Sequence, residues 1–491
     1  MFTSALPVVA LMAATQTEVD AFHAVPSARR STQLYSTVEK PKKKKKREKP
    51  NYIKNQREKI AKGKSFYRGA GVFRDVKADV EQDMRDQFDS SLMNEMKDDP
   101  NYQLEKDGVM FYLAKDHGFC WGVERSINLA YSAVESFPDQ DIHITNELIH
   151  NPMVNERLHN KNVNFIEKYE EDGTKDFSKI KEGDVVMLPA FGATLDEMKE
   201  LDSKGVKIVD TTCPWVAKVW ATVHTHQVRG LTSVIHGKYA HEETMATKSM
   251  CETYICVKNE DEAKYVADFI LSADEGDEDA KKAFMEKFGK ACSSHFDPHK
   301  HLKKIGLANQ TTMYKKETRA IGQLLQKTMM SKYGPDLIND HYYEFDTICD
   351  ATQVRQDAVD ELCNMHDDPS KPDLDFILVV GGFDSSNTAH LLEIPQMRGV
   401  RSYHINTAEC ISGENTIKHR LVNGDVVDSA PLLEDEMLWE TNEKGEKTKK
   451  LLRVGVTSGA STPDKEVQDA LGRIMLLTNV LHSNSKEEVT P

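Results

Sequence analysis

The sequence predicts an α/β fold of three similar lobes. Three stretches predict it. In Tyr342–Leu362 an aromatic, strand-like start meets Asp346-Thr347-Ile348-Cys349-Asp350, after which Ala351, Val354, Ala358 and Leu362 recur at the spacing of one helix face. Val206–Val209 is followed by Asp210-Thr211-Thr212-Cys213-Pro214 and then by Val216, Val219, Trp220 and Val223. Val109–Ala114 is followed by Asp116-His117-Gly118-Phe119-Cys120-Trp121-Gly122 and then by Val123, Ile127, Ala130 and Val134. Each stretch reads strand, cysteine, helix, so each lobe offers one thiolate to a common centre.

The chain of 491 residues is long enough for several lobes, and its formal charge of -15 suits a soluble metabolic protein rather than one that binds nucleic acid throughout. Eight cysteines are too sparse for a disulfide scaffold, and none form a CxxC pair. No apolar run reaches the roughly 20 residues needed to span a bilayer.

In chain order, residues 1–50 read as a targeting presequence and basic linker. Ala5–Ala14 resembles a signal-peptide core, and Ser27–Thr32 is rich in Ser and Arg, together like the two-part presequence of algae with complex plastids; a plain mitochondrial or chloroplast presequence is the other reading. Lys42–Lys49 reads as a solvated linker, with a nuclear-localisation patch as the alternative. Residues 51–107 form a charged extension without visible chemistry, in which Val76, Val80, Met84, Phe88, Leu92 and Met96 predict one amphipathic helix. Lobe 1 is expected over 108–212, lobe 2 over 213–345 with a charged surface insertion at 260–304, and lobe 3 over 346–480 with an exposed hairpin-like excursion at 425–451. A polar tail, 481–491, follows.

From Val109 onward strand-like runs alternate with helical patterns, which implies mostly parallel sheets. Seven runs end in HGFCWG, PAFGAT, DTTCP, HGKYAHEE, NQTT, GGFDSSN and TSGAST. Ligands of open α/β sheets bind beyond the carboxyl ends of the strands, so these motifs could share one pocket.

A cysteine at a helix N-terminus is pushed toward thiolate by the helix dipole. Three thiolates suit an iron–sulfur cluster better than a structural zinc site, which a fourth ligand usually closes. A four-iron cluster held by three cysteines leaves one iron free for a substrate oxygen. A single cysteine is more often a buried structural thiol, but the threefold context, with Asp-Thr-x-Cys used twice, reverses that. His150, His241, Thr311, Thr312, Ser385, Ser386, Asn387 and Ser461 add donors with little formal positive charge, a set that suits a phosphate-type anion. Each Ser or Thr could equally cap a helix. Glu243 is the carboxylate expected in the pocket, where a raised pKa would let it deliver protons.

As a set, HGFCWGVERS, NELIHNP, DTTCP, HEE, NQTT, DTICDATQVRQ, DSSN and TSGAST closely resemble the 4-hydroxy-3-methylbut-2-enyl diphosphate reductase family (LytB/IspH), in unbroken order over residues 108–480. The LPAFGAT form and the N-terminal extension resemble its plant and cyanobacterial branch. The resemblance implies three pseudo-symmetric α/β lobes in a trefoil-like arrangement around a central [4Fe–4S] cluster on Cys120, Cys213 and Cys349, with one open iron. It implies catalytic Glu243 with Thr311 nearby. His150, His241, Ser385, Asn387 and Ser461 are implied diphosphate contacts, with Thr312 and Ser386 beside them. Where bacterial relatives carry a substrate-contacting His, this chain has Phe191, which cannot donate to phosphate. No G-x-G-x-x-G unit follows a strand, so electrons are expected from an external one-electron carrier, ferredoxin in a plastid stroma, and neither nucleic acid nor membrane is an expected partner. An aconitase-like [4Fe–4S] hydro-lyase is the alternative. It acts on carboxylates and would want arginines in the site motifs, whereas Arg125 and Arg355 lie on the helices after the cysteines.

Overall fold

The computed structural model describes residues 52–484 apart from 70, 170–173, 275, 368–369, 371–372 and 443–445. The presequence, the Lys42–Lys49 run, the turn at 443–445 and most of the polar tail lie outside them. Pro50–Pro491 forms one compact unit. Among the described residues no helix is long and apolar enough to cross a membrane.

Three sheets carry the unit. The first is parallel, in the order Phe66–Tyr67, Lys207–Asp210, Val185–Leu188, Ile142–Ile144, Val163–Phe165. The second, also parallel, runs Tyr342–Glu344, Ile305–Asn309, Thr232–His236, Tyr254–Val257. The third has four parallel central strands, Ser402–Ile405, Phe376–Val380, Leu452–Ser458 and Val109–Leu113, with antiparallel strands at both edges. Central strands such as Phe376–Val380 are buried along their whole length, as parallel strands covered on both faces must be.

Each predicted cysteine lies where the chain passes from one sheet to the next. Val109–Leu113 belongs to the third sheet, but the helix after Cys120, Trp121–Ser136, buries Ile127, Ala130 and Tyr131 against Ile144 and Met187 of the first. Lys207–Asp210 belongs to the first, and Pro214–Val228 after Cys213 packs Val219 and Val223 between Leu188 of the first and Ala308 of the second. Tyr342–Glu344 edges the second, and Asp350–Asp367 after Cys349 packs Val359 and Cys363 under Ile377 and Val379 of the third.

Several expectations are corrected here. Strand Val109–Leu113, expected with lobe 1, pairs with Leu452–Ser458 of lobe 3, because a parallel partner is chosen by a crossover of any length. The extension, expected to pack on the body or stay mobile, packs on it. Phe66–Tyr67 adds to the first sheet, Gln103–Lys106 to the third, and Phe73, Val80 and Phe88 join the core under Trp121–Ser136. Its single expected helix is two, Lys77–Phe88 and Ser91–Asp98, because the Ser90 hydroxyl accepts from Met93 N at 3.0 Å and caps a new start. The charged insertion is no surface appendage: Val266, Phe269, Ile270, Phe284 and Phe288 form core with Val234 and Ile305 of the second sheet. The excursion does form hairpins, Ile417–Arg420 with Val426–Ser429 and Trp439–Thr441 with Lys447–Lys449, but Leu432, Leu433, Met437 and Leu438 between them are buried.

In the PAFGAT turn Gly192 has φ +87°, and a Cβ there would run into the Trp220 ring. Both the left-handed backbone and the overpacking penalise a side chain, so Gly192→Ala should cost on the order of 1–3 kcal/mol. The measurement is the thermal midpoint, expected several degrees lower; an unchanged midpoint would mean that the ring moves freely.

Candidate functional site

The two Asp-Thr-x-Cys motifs fold alike. Asp210 Oδ1 accepts from Thr212 N at 3.0 Å, and Asp346 Oδ1 accepts from Ile348 N at 3.2 Å. In each, the aspartate bonds the backbone two residues on, turning the chain sharply between strand and cysteine. Cys120 and Cys213 are then the N-caps of their helices. The Cys349 carbonyl accepts from Thr352 N and Gln353 N, the same start of a helix.

Neighbouring loops hold these turns together. Cys120 N donates to Ala460 O at 3.1 Å, Cys213 N to Ala190 O at 2.8 Å and Cys349 N to Thr311 O at 3.3 Å. Buried Arg355 donates to Gly118 O at 2.8 Å and His117 O at 3.3 Å, tying the Cys120 loop to the helix after Cys349. Arg125 donates to Thr212 O at 3.2 Å, tying the helix after Cys120 to the Cys213 loop.

All three sulfurs face one region. A Cβ on Gly122 would stand 2.6 Å from Cys213 Sγ and 3.8 Å from Cys120 Sγ, so the bare glycine leaves the room these thiols occupy. Burial raises Cys213 to about 11 and Cys349 to about 12, and the neighbouring Cys120 adds to both. Burial therefore outweighs the helix N-termini that were expected to favour thiolate. Three unpaired thiols, a glycine cradle and mutual repulsion of their charged forms fit a group that takes up the thiolate charge, such as a metal–sulfur cluster.

Glu243 lies next to them, fully buried. It accepts from Thr311 N at 2.7 Å and Thr311 Oγ1 at 2.9 Å, yet burial still raises its pKa to about 7. Protonated and ionised forms are thus both accessible near neutrality.

The polar set divides. His241 Nδ1 accepts from Glu243 N at 3.2 Å, so the proton of the neutral ring sits on Nε2; burial holds the ring near pKa 4 and neutral. His150 donates from Nδ1 to Glu147 at 3.2 Å, stacks on Phe191 at 4.8 Å and meets His241 edge-on at 5.5 Å. Phe191 is thus buried as a platform for His150. Ser461 Oγ donates to His150 O at 3.2 Å, and Asn387 Oδ1 accepts from Ala460 N at 2.9 Å, joining the TSGAST loop to both. His150 Nε2, His241 Nε2, Ser386 Oγ and Asn387 Nδ2 are buried without partners. Ser385 is spent as a cap, accepting from Thr388 N and Thr388 Oγ1. Thr312 Oγ1 accepts from Gln310 Nε2 at 2.8 Å. His150, His241 and Glu242 lie close enough to suggest a cation site. The tautomer of His241 argues against one: its Nε2 carries a proton, and a donor calls for an anion.

Sequence reasoning missed the roles of four contributors. Gln310 Oε1 accepts from Lys238 N at 3.1 Å and Thr244 Oγ1 at 3.3 Å, bracing the HEE helix; its place between Asn309 and Thr311 was the available signal. Arg125 and Arg355 follow their cysteines by five and six residues, a repeat visible in the sequence. Glu466, deeply buried, accepts from Asn151 Nδ2 at 2.7 Å behind the His150 turn; nothing in its surroundings marks it in the sequence.

Three α/β lobes close on three thiols, a protonatable carboxyl and neutral donors, a set whose chemistry fits a metal–sulfur type of enzyme. The LytB protein family model matches residues 111–475, and the chain belongs to that family. It is 48% identical to the 4-hydroxy-3-methylbut-2-enyl diphosphate reductase of the cyanobacterium Picosynechococcus sp. over 391 residues, covering 80% of this chain and 90% of the relative. It is 49% identical to the chloroplastic reductase of Botryococcus braunii over 381 residues, covering 77% of this chain and 72% of that one. The solved E-1-hydroxy-2-methyl-but-2-enyl-4-diphosphate reductase of Plasmodium falciparum shares the fold, with TM-score 0.50 and 22% identity over 74% of this chain and 86% of that one.

Glu466 offers a pH test of the packing behind the site. Burial raises it from 4.5 to about 7. A carboxyl raised in the folded state gives stability that is complete below its unfolded value and lost as pH rises through its folded value. The wild-type melting temperature should therefore fall relative to that of Glu466→Gln between about pH 5 and pH 8. Parallel pH profiles of the two proteins would show that this carboxyl does not ionise in the fold.

Proposed function

We infer that this chain is a 4-hydroxy-3-methylbut-2-enyl diphosphate reductase. It removes the allylic hydroxyl of its substrate with two electrons and two protons, giving water, isopentenyl diphosphate and dimethylallyl diphosphate. This is the last step of the methylerythritol phosphate route to isoprenoids. The observation that carries the reading is the meeting of Glu243, poised near neutrality, with three thiols and the unpartnered neutral donors of His241, Ser386 and Asn387.

Cys120, Cys213 and Cys349 are the proposed ligands of a [4Fe–4S] cluster, which when bound supplies electrons and an open, Lewis-acidic iron. The diphosphate is assigned to the Nε2–H of His241, to Ser386 and Asn387 at the first turn of Ser386–Met397, and to the hydroxyls of Ser385, Ser461 and Thr312 beside them, with His150 lining the same pocket. A helix N-terminus with free donors holds phosphate oxygens without a lysine or arginine. Glu243, as a neutral acid, gives a proton to the departing hydroxyl so that it leaves as water. Thr311 holds both carboxylate oxygens of Glu243 and so stabilises the anion left by that transfer. His150 keeps its place by stacking on Phe191. Arg125 and Arg355 are occupied by backbone carbonyls and cannot clamp a carboxylate substrate, which weighs against the aconitase-like alternative. An external one-electron carrier, ferredoxin in a plastid stroma, is proposed as the donor. The signal-like N-terminus and the chloroplastic relative support that location.

Cys349→Ser should lose the cluster on anaerobic purification, measured as iron per chain and visible absorbance, while Cys363→Ser, packed in the core away from the other sulfurs, should retain about four irons. A full cluster in the first variant would refute the ligand set. Glu243→Gln should bind the allylic diphosphate with little change yet turn over about 100-fold or more slowly, as loss of a general acid does. Wild-type kcat should decline as pH rises through about 7, where Glu243 loses its proton. The test is an anaerobic assay with a chemical reductant, scoring both products; wild-type rates in Glu243→Gln would remove Glu243 from the chemistry.

A further inference from the structure

Electrons must reach the three-thiol centre from outside, and the surface over two of its loops differs from the rest of this acidic chain. Between the start of helix Lys315–Tyr333 and the helix after Cys349 lies a hollow of roughly 600 Å³ lined by Lys315, Lys316, Arg319, Gln353 and Asp357. Gln353 N donates to the Cys349 carbonyl, so one wall of the hollow is the cysteine's own helical turn. Lys315 reaches Asp346 at 3.4 Å, and adjoining Phe345 is 48% exposed. Lys218 Nζ stands 5.2 Å from the Phe345 ring and 4.5 Å from that of Trp215, two residues after Cys213. These contacts form one continuous patch running from the Cys213 turn to the Cys349 turn.

Its charge is selective. Among the described residues Lys218, Lys316 and Arg319 have no carboxylate within ion-pairing distance, while Asp346 pairs with Lys315 and Asp357 lines the hollow. The other hollow beside a cysteine loop is balanced: next to Phe119 and Trp121, Lys77, Arg85 and Arg125 face Glu81, Asp89 and Glu124. On a chain of net charge -15, an acidic partner is repelled by most of the surface and drawn to an unbalanced basic patch.

We propose that the Lys218–Lys315–Lys316–Arg319 patch, with Trp215 and Phe345, is the docking surface for a small acidic one-electron carrier protein. The proposal rests on the reductase reading, which supplies the need for two successive single-electron deliveries. Exposed Phe345 and half-buried Trp215 give an apolar contact directly outside the two cysteine turns, and the rim of cations steers encounter. The carrier is oxidised at each visit and leaves, so the contact is small and salt-sensitive.

The test uses cluster-loaded wild-type enzyme and Lys316→Glu/Arg319→Glu, each driven by reduced plant-type [2Fe–2S] ferredoxin and, separately, by reduced methyl viologen. The expected result is a KM for ferredoxin raised about tenfold or more with weaker salt dependence, against an unchanged viologen-driven rate. The same two reversals at Lys106 and Lys449, outside the patch, should leave both rates as they are. An unchanged ferredoxin KM overturns the proposal, as does an equal loss in the Lys106/Lys449 control or a parallel fall of both rates in the patch variant. A wild-type enzyme that makes no isoprenoid product even with viologen would instead sink the reductase reading.

Discussion

Three peptide turns, each ending one sheet's strand and starting a helix that packs on the next sheet, hold the molecule in its closed form. Because the handover passes from third sheet to first, first to second and second to third, no lobe can shift without moving a cysteine. Arg125 and Arg355 then bridge the turns through backbone carbonyls. Guanidinium forks suit this job, since each can donate to more than one carbonyl in fixed geometry. The positions of the sulfurs follow from how three hydrophobic cores share helices, more than from any local preference of the loops.

Burial decides the electrostatics of the centre. The thiols of Cys213 and Cys349, the Glu243 carboxyl and the His241 ring are all driven toward their neutral forms. Each has backbone or hydroxyl donors that oppose or fix the shift, but desolvation is the larger cause throughout. A pocket lacking formal charge would bind a dianionic tail poorly on Coulomb attraction alone. In the proposed site unpartnered donors and a helix N-terminus would do that work instead, since an anion that satisfies them removes the cost of leaving them buried. The same low polarity that keeps Glu243 protonatable makes those hydrogen bonds strong.

How far the chain could be read without coordinates depended on whether the signal was local. Strand ends at Val185–Leu188 and Phe376–Val380 and the helices after all three cysteines were legible, because apolar runs and 3.6-residue spacing are local properties. Sheet membership was not: nothing near Val109 says that its partner is Val454 and its neighbours. Ile142–Ile144 and Val163–Phe165 were missed because three residues carry too little pattern. The charged insertion misled because charged residues dominate its sequence while Val266, Phe269 and Ile270 on one helix and Phe284 and Phe288 on the next turn inward. In the site, the cysteines and Glu243 stood out by motif, whereas Glu466 is an ordinary acidic residue until Asn151 is seen against it.

The pseudo-threefold design also shows where the three units part. Each cysteine is followed at five or six residues by a cation: Arg125, Lys218, Arg355. Two of these turn toward a neighbouring loop and are consumed by carbonyls. The third, Lys218, has no carbonyl to serve and lies over Trp215 and Phe345 at the surface. A lysine is the residue expected there, since a point charge on a flexible stem binds no carbonyl pair well but presents charge to a partner. The break in symmetry therefore coincides with the side of the molecule from which electrons are proposed to arrive.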